Sequence, residues 1–110
     1  SVEIIAYLKN DMENLEVPET IDGLAVTSLG EASFAYHEEL KSVKMPKTIN
    51  TIKMAVFGSC VNLKKVYFPE DIATIDDWAF GDFTGTVVTV KDYNLYNFAK
   101  SNGVMVEDLK

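Results

Sequence analysis

A β-rich solenoid is the fold class this sequence predicts: parallel short strands stacked in about three 23-residue coils, with short helical turns between them. Three observations predict it. First, Leu40-Lys41-Ser42-Val43-Lys44-Met45-Pro46 reappears 23 residues later as Leu63-Lys64-Lys65-Val66-Tyr67-Phe68-Pro69, and Ile49, Ile52 and Phe57 reappear as Ile72, Ile75 and Phe80. Self-similarity at a fixed period of about 20 to 50 residues marks chains whose copies bury one another's apolar edges. Second, the copies share an in-out-in alternation that suits a strand with one buried face. Third, both ends depart from the repeat in ways that suit covers for the open ends of a stack.

In chain order, residues 1–11 form an N-terminal cap, with a loosely alternating stretch at 2–7 read as a capping strand. The first coil, 12–39, opens on Met12-Glu13-Asn14-Leu15-Glu16-Val17-Pro18, 28 rather than 23 positions before its counterpart, so it carries a five-residue insertion. Because Val26 and Leu29 again lie 23 before Ile49 and Ile52, the insertion falls after Pro18, where Asp22-Gly23 marks an expanded turn. The second coil is 40–62 and the third 63–85. In each coil proline ends the opening strand, since it lacks the N–H that a ladder needs.

The fourth copy is incomplete. Val88-Thr89-Val90-Lys91 matches Val66-Tyr67-Phe68-Pro69 at a shift of 22, so 86–110 reads as the C-terminal cap. This alignment places Leu15, Val43, Val66 and Val88 in one buried column and Val17, Met45, Phe68 and Val90 in another. Glu16, Lys44, Tyr67 and Thr89 fall in the outward column between them. Phe34, Phe57 and Phe80 are expected to stack as an aromatic spine. Asp92 is the expected N-cap of a capping helix over 93–102, with Leu95, Phe98 and Ala99 on its buried face and Gly103 as terminator. Val104-Met105-Val106 then returns as a last strand. Caps at both ends lead to the expectation of a single self-contained domain, 1–110.

Parallel neighbours about 4.7–4.9 Å apart turn columns into contacts. Opposite charges should meet at Glu13/Lys41, Glu16/Lys44, Glu19/Lys47 and Lys47/Glu70, each exposed pair contributing about 0.2–1 kcal/mol and penalising a slipped register.

The 110 residues are 47% hydrophobic and carry 10 basic and 17 acidic side chains, a net charge of −7 with no arginine. Such a chain repels phosphate and lacks the side chain best fitted to bidentate recognition, which argues against nucleic acid and against an anionic membrane surface. No stretch approaches the roughly 20 apolar residues that span a bilayer, and 1–4 carry no signal-peptide pattern. One cysteine, Cys60, leaves the redox compartment open.

The motif Leu63-x-x-Val66-x-Phe68-Pro69-x-x-Ile72-x-x-Ile75-x-x-x-Ala79-Phe80 resembles the BspA-like leucine-rich repeats of bacterial surface proteins. The first copy and the terminal cap, 93–109, resemble that family too. The resemblance covers almost the whole chain. It implies a leucine-rich-repeat solenoid on the cell surface or secreted, acting in protein binding or adhesion, with no catalytic residues and no cofactor. After the phenylalanine the family favours a small residue and cysteine, kept here as Gly58-Ser59-Cys60 but replaced by Ala35-Tyr36-His37 and Gly81-Asp82-Phe83.

Candidate sites divide by column. His37 and Cys60 share a column with Phe83, which reads as a packed position, and no second histidine or cysteine completes a closed zinc site. Asp76, Asp77 and Asp82 fit no calcium loop and read as solvated turn acids. Trp78 stands where Ala32 and Ala55 stand in the other coils; it is expected to fill space under the last coil, whereas exposure would mark a contact hot spot. Lys41, Lys44, Lys64 and Lys65, with Tyr67 beside them, concentrate positive charge on the strand face. They read either as a charge-paired surface or as the contact for a protein, polyanionic or glycan partner. The expected protein is a monomeric, non-catalytic binding module. A carbohydrate-binding accessory module, for which Tyr36, Tyr67 or Trp78 would be exposed, and a structural spacer in a larger surface protein are the rivals.

Overall fold

The computed structural model describes residues 2–4, 13–34 and 38–110. The chain winds as a solenoid of about three turns, with two parallel sheets on its sides. The first strand of each coil lies on one side: β2 (Asn14–Glu16), β5 (Ser42–Lys44) and β7 (Lys65–Tyr67), continued by β9 (Thr86–Thr89) and β10 (Met105–Asp108). The other side holds β1 (Val2–Ile4), β4 (Leu24–Leu29), β6 (Thr51–Ile52) and β8 (Thr74–Ile75), in that order, so the N-terminal strand is indeed stacked on the first coil. The repeat period becomes register: Leu15 pairs with Val43 and Val43 with Val66, while Leu29 pairs with Ile52 and Ile52 with Ile75.

The side chains between the two sheets form one core, from Leu15 and Val26 through Val43, Ile52 and Val66 to Val87 and Leu95. Phe34 and Phe57 stack with ring centroids 5.6 Å apart and an interplanar angle of 21°. The expected spine then changes partners: Phe57 meets Phe83 at 5.8 Å, Phe83 meets Phe80 at 6.0 Å, and Phe80 meets Phe98 of the capping helix at 6.4 Å. Cys60, in the same column as Phe83, is buried and donates its Sγ hydrogen to the Phe34 carbonyl at 2.7 Å, a packed position as the column implied. His37 and Tyr36 lie outside the described residues.

The five inserted residues make a hairpin. β3 (Thr20–Ile21) pairs antiparallel with the start of β4, Thr20 opposite Ala25 and Ile21 opposite Leu24, leaving Asp22 (φ 52°) and Gly23 (φ 78°) as the two-residue turn. Both central residues take positive φ, the type I′ geometry whose twist matches the strands it joins and whose favoured sequence is Asp-Gly.

Two expectations need correction at the C-terminal end. Val66 pairs with Val87, not Val88, and Tyr67 with Val88, a shift of 21 rather than 22. The chain takes the shorter path through Gly85, where a Cβ would lie 2.6 Å from the Leu63 carbonyl oxygen and 2.8 Å from that of Lys64. Only a residue without a side chain can press against the preceding coil there. Thr89 therefore points inward, fully buried, and its Oγ1 donates to the Phe68 carbonyl at 2.9 Å. Val88 joins the outward row.

The capping helix α1 (Asn94–Ser101) buries Leu95 and Ala99 and packs Phe98 against the core, as expected. Its N-cap is Tyr93, whose side chain makes no cap hydrogen bond; Asp92 is spent in the preceding turn, closed by Tyr93 N–H to the Val90 carbonyl at 2.9 Å. Asp71 of the third coil caps the helix instead. Its carboxylate accepts from the backbone N–H groups of Asn94 (2.9 Å) and Leu95 (3.0 Å), two of the donors that a helix start leaves unpaired. Gly103 (φ 77°) ends the helix in a Schellman arrangement, Gly103 N–H to the Lys100 carbonyl and Val104 N–H to that of Ala99.

Candidate functional site on the strand face

Register decides which side chains share the outer face of the first sheet. One row runs Glu16, Lys44, Tyr67, Val88, Glu107 across β2, β5, β7, β9 and β10; the row before it runs Asn14, Ser42, Lys65, Thr86, Met105. Beyond the first row the prolines that end the strands, Pro18, Pro46 and Pro69, stack in line. Together with Leu109, which follows β10, they form the wall of an open groove of about 800 Å³. Tyr67 and the Lys44 stem lie across its floor, and Glu16, Glu19 and Lys47 edge it. Proline has no N–H to leave unpaired at a strand end, so the repeat's stop signal also presents apolar surface to solvent at Pro18 and Pro69, with Pro46 buried between them.

The five predicted residues divide among three settings. Lys44 and Tyr67 lie in the groove, the ammonium 6.0 Å from the ring centroid, at the outer limit of a cation–π contact. Lys65 sits one row away and bridges over β9 to Glu107 at 3.1 Å. The hydrogen bond and charge of Glu107 raise the Lys65 amine above its usual pKa of 10.5. This pair, with Tyr67 beside it, roofs Val88, which is only 1% exposed although it faces outward. Lys41 and Lys64 are at the other end of the strands, where Lys41 pairs with Glu13 at 3.3 Å and Lys64 N–H donates to the Lys41 carbonyl.

The expected cross-coil ladder is present at Glu13/Lys41 and at Glu19/Lys47 (3.8 Å), with Glu16 and Lys44 as direct strand neighbours. The Lys65–Glu107 pair was not legible, because it depends on where β10 returns. Leu109 is not legible for the same reason, and from sequence the prolines read only as strand breakers.

Trp78 corrects a further expectation: it is 68% exposed. Ala32 and Ala55 take left-handed φ of 53° and 51° in the other two coils, a conformation disfavoured for a bulky side chain, and Trp78 does not share it. The indole swings out at the corner, over a small pocket of about 130 Å³ against the capping helix. Asp76 acts locally, accepting from the Trp78 N–H at 2.8 Å. Among the described residues no three His, Cys, Asp or Glu side chains are placed to hold a metal ion.

Against known families, the model for the BspA-type leucine-rich repeat region, six copies, matches residues 3–102. The chain belongs to this family. No curated protein and no solved structure matches it. As a BspA-type leucine-rich repeat, the chain is a repeat module whose parallel first-strand sheet carries the groove, and whose last turn is closed by α1 and β10. No helix among the described residues is long and apolar enough to cross a membrane.

Proposed function

We propose that this chain is a non-catalytic binding or adhesion module of a cell-surface or secreted bacterial protein, and that it engages a protein partner through the strand-face groove. The observation that carries this reading is the groove itself: exposed Pro18, Pro69 and Leu109, with Pro46 buried between the two prolines, beside Tyr67 and Lys44. Burying such a surface supplies non-directional affinity, and the flanking charges set orientation. Surface placement rests on the family.

A protein partner fits better than a polyanion. Glu16 and Glu19 edge the same groove, while Lys41 and Lys65 are already paired with Glu13 and Glu107, so the face alternates in sign. A polyanion would meet repulsion from the acids beside Lys41, Lys44, Lys47 and Lys65, whereas a protein segment of mixed charge can pair with both signs.

The test is a binding screen of the purified chain against immobilised matrix proteins and sulfated glycans. Binding to a protein with modest salt dependence, weakened about tenfold or more by Tyr67→Ala and little changed by Lys64→Ala, supports the reading. Binding confined to sulfated glycans, steeply salt-dependent and abolished by removing Lys41, Lys44, Lys64 and Lys65 together, points to the polyanion instead.

A further inference from the structure

The corner at Trp78 is a second feature, separate from the strand face. The indole is the most exposed large aromatic among the described residues, and its backbone is pinned on three sides. The Trp78 N–H donates to Asp76 Oδ1 at 2.8 Å, and the Trp78 carbonyl accepts from Ala55 N–H and Gly81 N–H, each at 3.0 Å. A large apolar side chain held out into water on a fixed backbone is a platform whose ordering cost is already met by the fold.

Beneath it lies the pocket of about 130 Å³, lined by Asp77, Phe80, Phe98, Asn102 and Val104 as well as Trp78. That volume is well short of the roughly 300–1,000 Å³ of sites for drug-sized ligands and suits a single ring. Two of its walls are polar and have hydrogen-bonding capacity to spare. The Asp77 carboxylate accepts no hydrogen bond from the described residues. The Asn102 amide uses one N–H on the Phe98 carbonyl at 2.8 Å, leaving its oxygen and second N–H.

We propose that this corner is a subsite for one residue of a neutral sugar. A pyranose has an apolar face of C–H groups that stacks on an indole, and vicinal hydroxyls that donate to a carboxylate while bonding an amide from both sides. Asp76 and Asp77 make the corner acidic, which disfavours sialylated, uronic or sulfated sugars. A quaternary ammonium would also welcome the acids, but it calls for several aromatic faces closed around it. Here Trp78 stands 68% in solvent and Phe80 is buried in the core cluster.

Trp78 is the only tryptophan, so its indole Nε1–H resonance in the ¹⁵N-labelled chain reports this site alone. The probes are glucose, galactose, mannose and N-acetylglucosamine with their disaccharides, sialyllactose as the anionic control and choline chloride as the cationic one. A saturable shift is expected with at least one neutral sugar. Asp77→Asn, at wild-type melting temperature, should weaken it by about tenfold, the loss of one charge-assisted hydrogen bond. Tyr67→Ala should leave it unchanged, so its outcome is separate from that of the strand-face reading. Saturation transfer to the sugar should vanish in Trp78→Ala. No saturable response to any neutral sugar, a stronger response to sialyllactose or choline, or unchanged affinity in Asp77→Asn would overturn the proposal.

Discussion

The carboxylate of Asp71, in the third coil, accepts the backbone N–H of Leu95 in the capping helix at 3.0 Å, and that of Asn94 at 2.9 Å, so the cap of α1 is supplied by another part of the fold. The same carboxylate also accepts from Ile72 N–H at 2.8 Å. Helix start and third coil are thereby joined through one side chain. Asp71→Ala should cost about 1–2 kcal/mol, seen as a lower urea midpoint and faster amide exchange at the first turn of α1, while Asp92→Ala should change neither. Equal effects of the two substitutions would return the cap to Asp92.

Gly85 sets the path that shortens the last repeat. A methyl group there must displace backbone, since the nearest atoms are the Leu63 and Lys64 carbonyl oxygens at 2.6 and 2.8 Å. Gly85→Ala is expected to destabilise by about 1–3 kcal/mol in urea unfolding. Gly23→Ala, which meets no atom within 4 Å but sits at φ 78°, should cost only about 1 kcal/mol. A harmless alanine at 85 would contradict the close approach.

The register of the last full strand can be read chemically. With Thr89 inward and its Oγ1 on the Phe68 carbonyl, Thr89→Val removes a buried hydrogen bond and should lower stability by about 1 kcal/mol. An outward Thr89 would tolerate valine without loss, so a neutral result argues for the shift of 22.

How much of this was legible in the sequence follows from what each inference depended on. The strands, their order and the coil boundaries could be read because proline and alternating apolar residues recur at a fixed spacing. The last register could not, because Val87, Val88, Thr89 and Val90 are all β-branched and the one polar residue among them, Thr89, faces inward on the Phe68 carbonyl instead of marking the outward face. Asp71 and Asp92 are equally good caps by composition; only the docking of α1 on the third coil selects between them. The exposure of Trp78 is not legible because a shared column gives a place in the coil and not the backbone conformation there, which is left-handed at Ala32 and Ala55 and not at Trp78. Of the strand-face site, Lys44 and Tyr67 were visible as neighbours, but Leu109 entered only once β10 had a place in the sheet.

The Lys65–Glu107 pair makes a prediction about pH. A Lys65 pKa raised in the folded state means a contribution fully present below the ordinary value of 10.5 and lost as pH rises through the higher folded value. The Lys65 side chain, followed by NMR, should titrate above 10.5 and move back toward it in Glu107→Gln. A midpoint at or below 10.5 in the wild type would contradict the bridge over β9.

The claim that the strand-face groove is where a protein partner sits is tested most directly by hydrogen–deuterium exchange of the chain with and without the partner found by the screen. Protection is predicted at the amides of Glu16, Val17, Glu19, Lys44, Met45, Lys47, Tyr67 and Leu109, which line the groove from β2 to the end of β10. Protection confined to the β4 side or to the corners of the coils, with the groove unchanged, would contradict it.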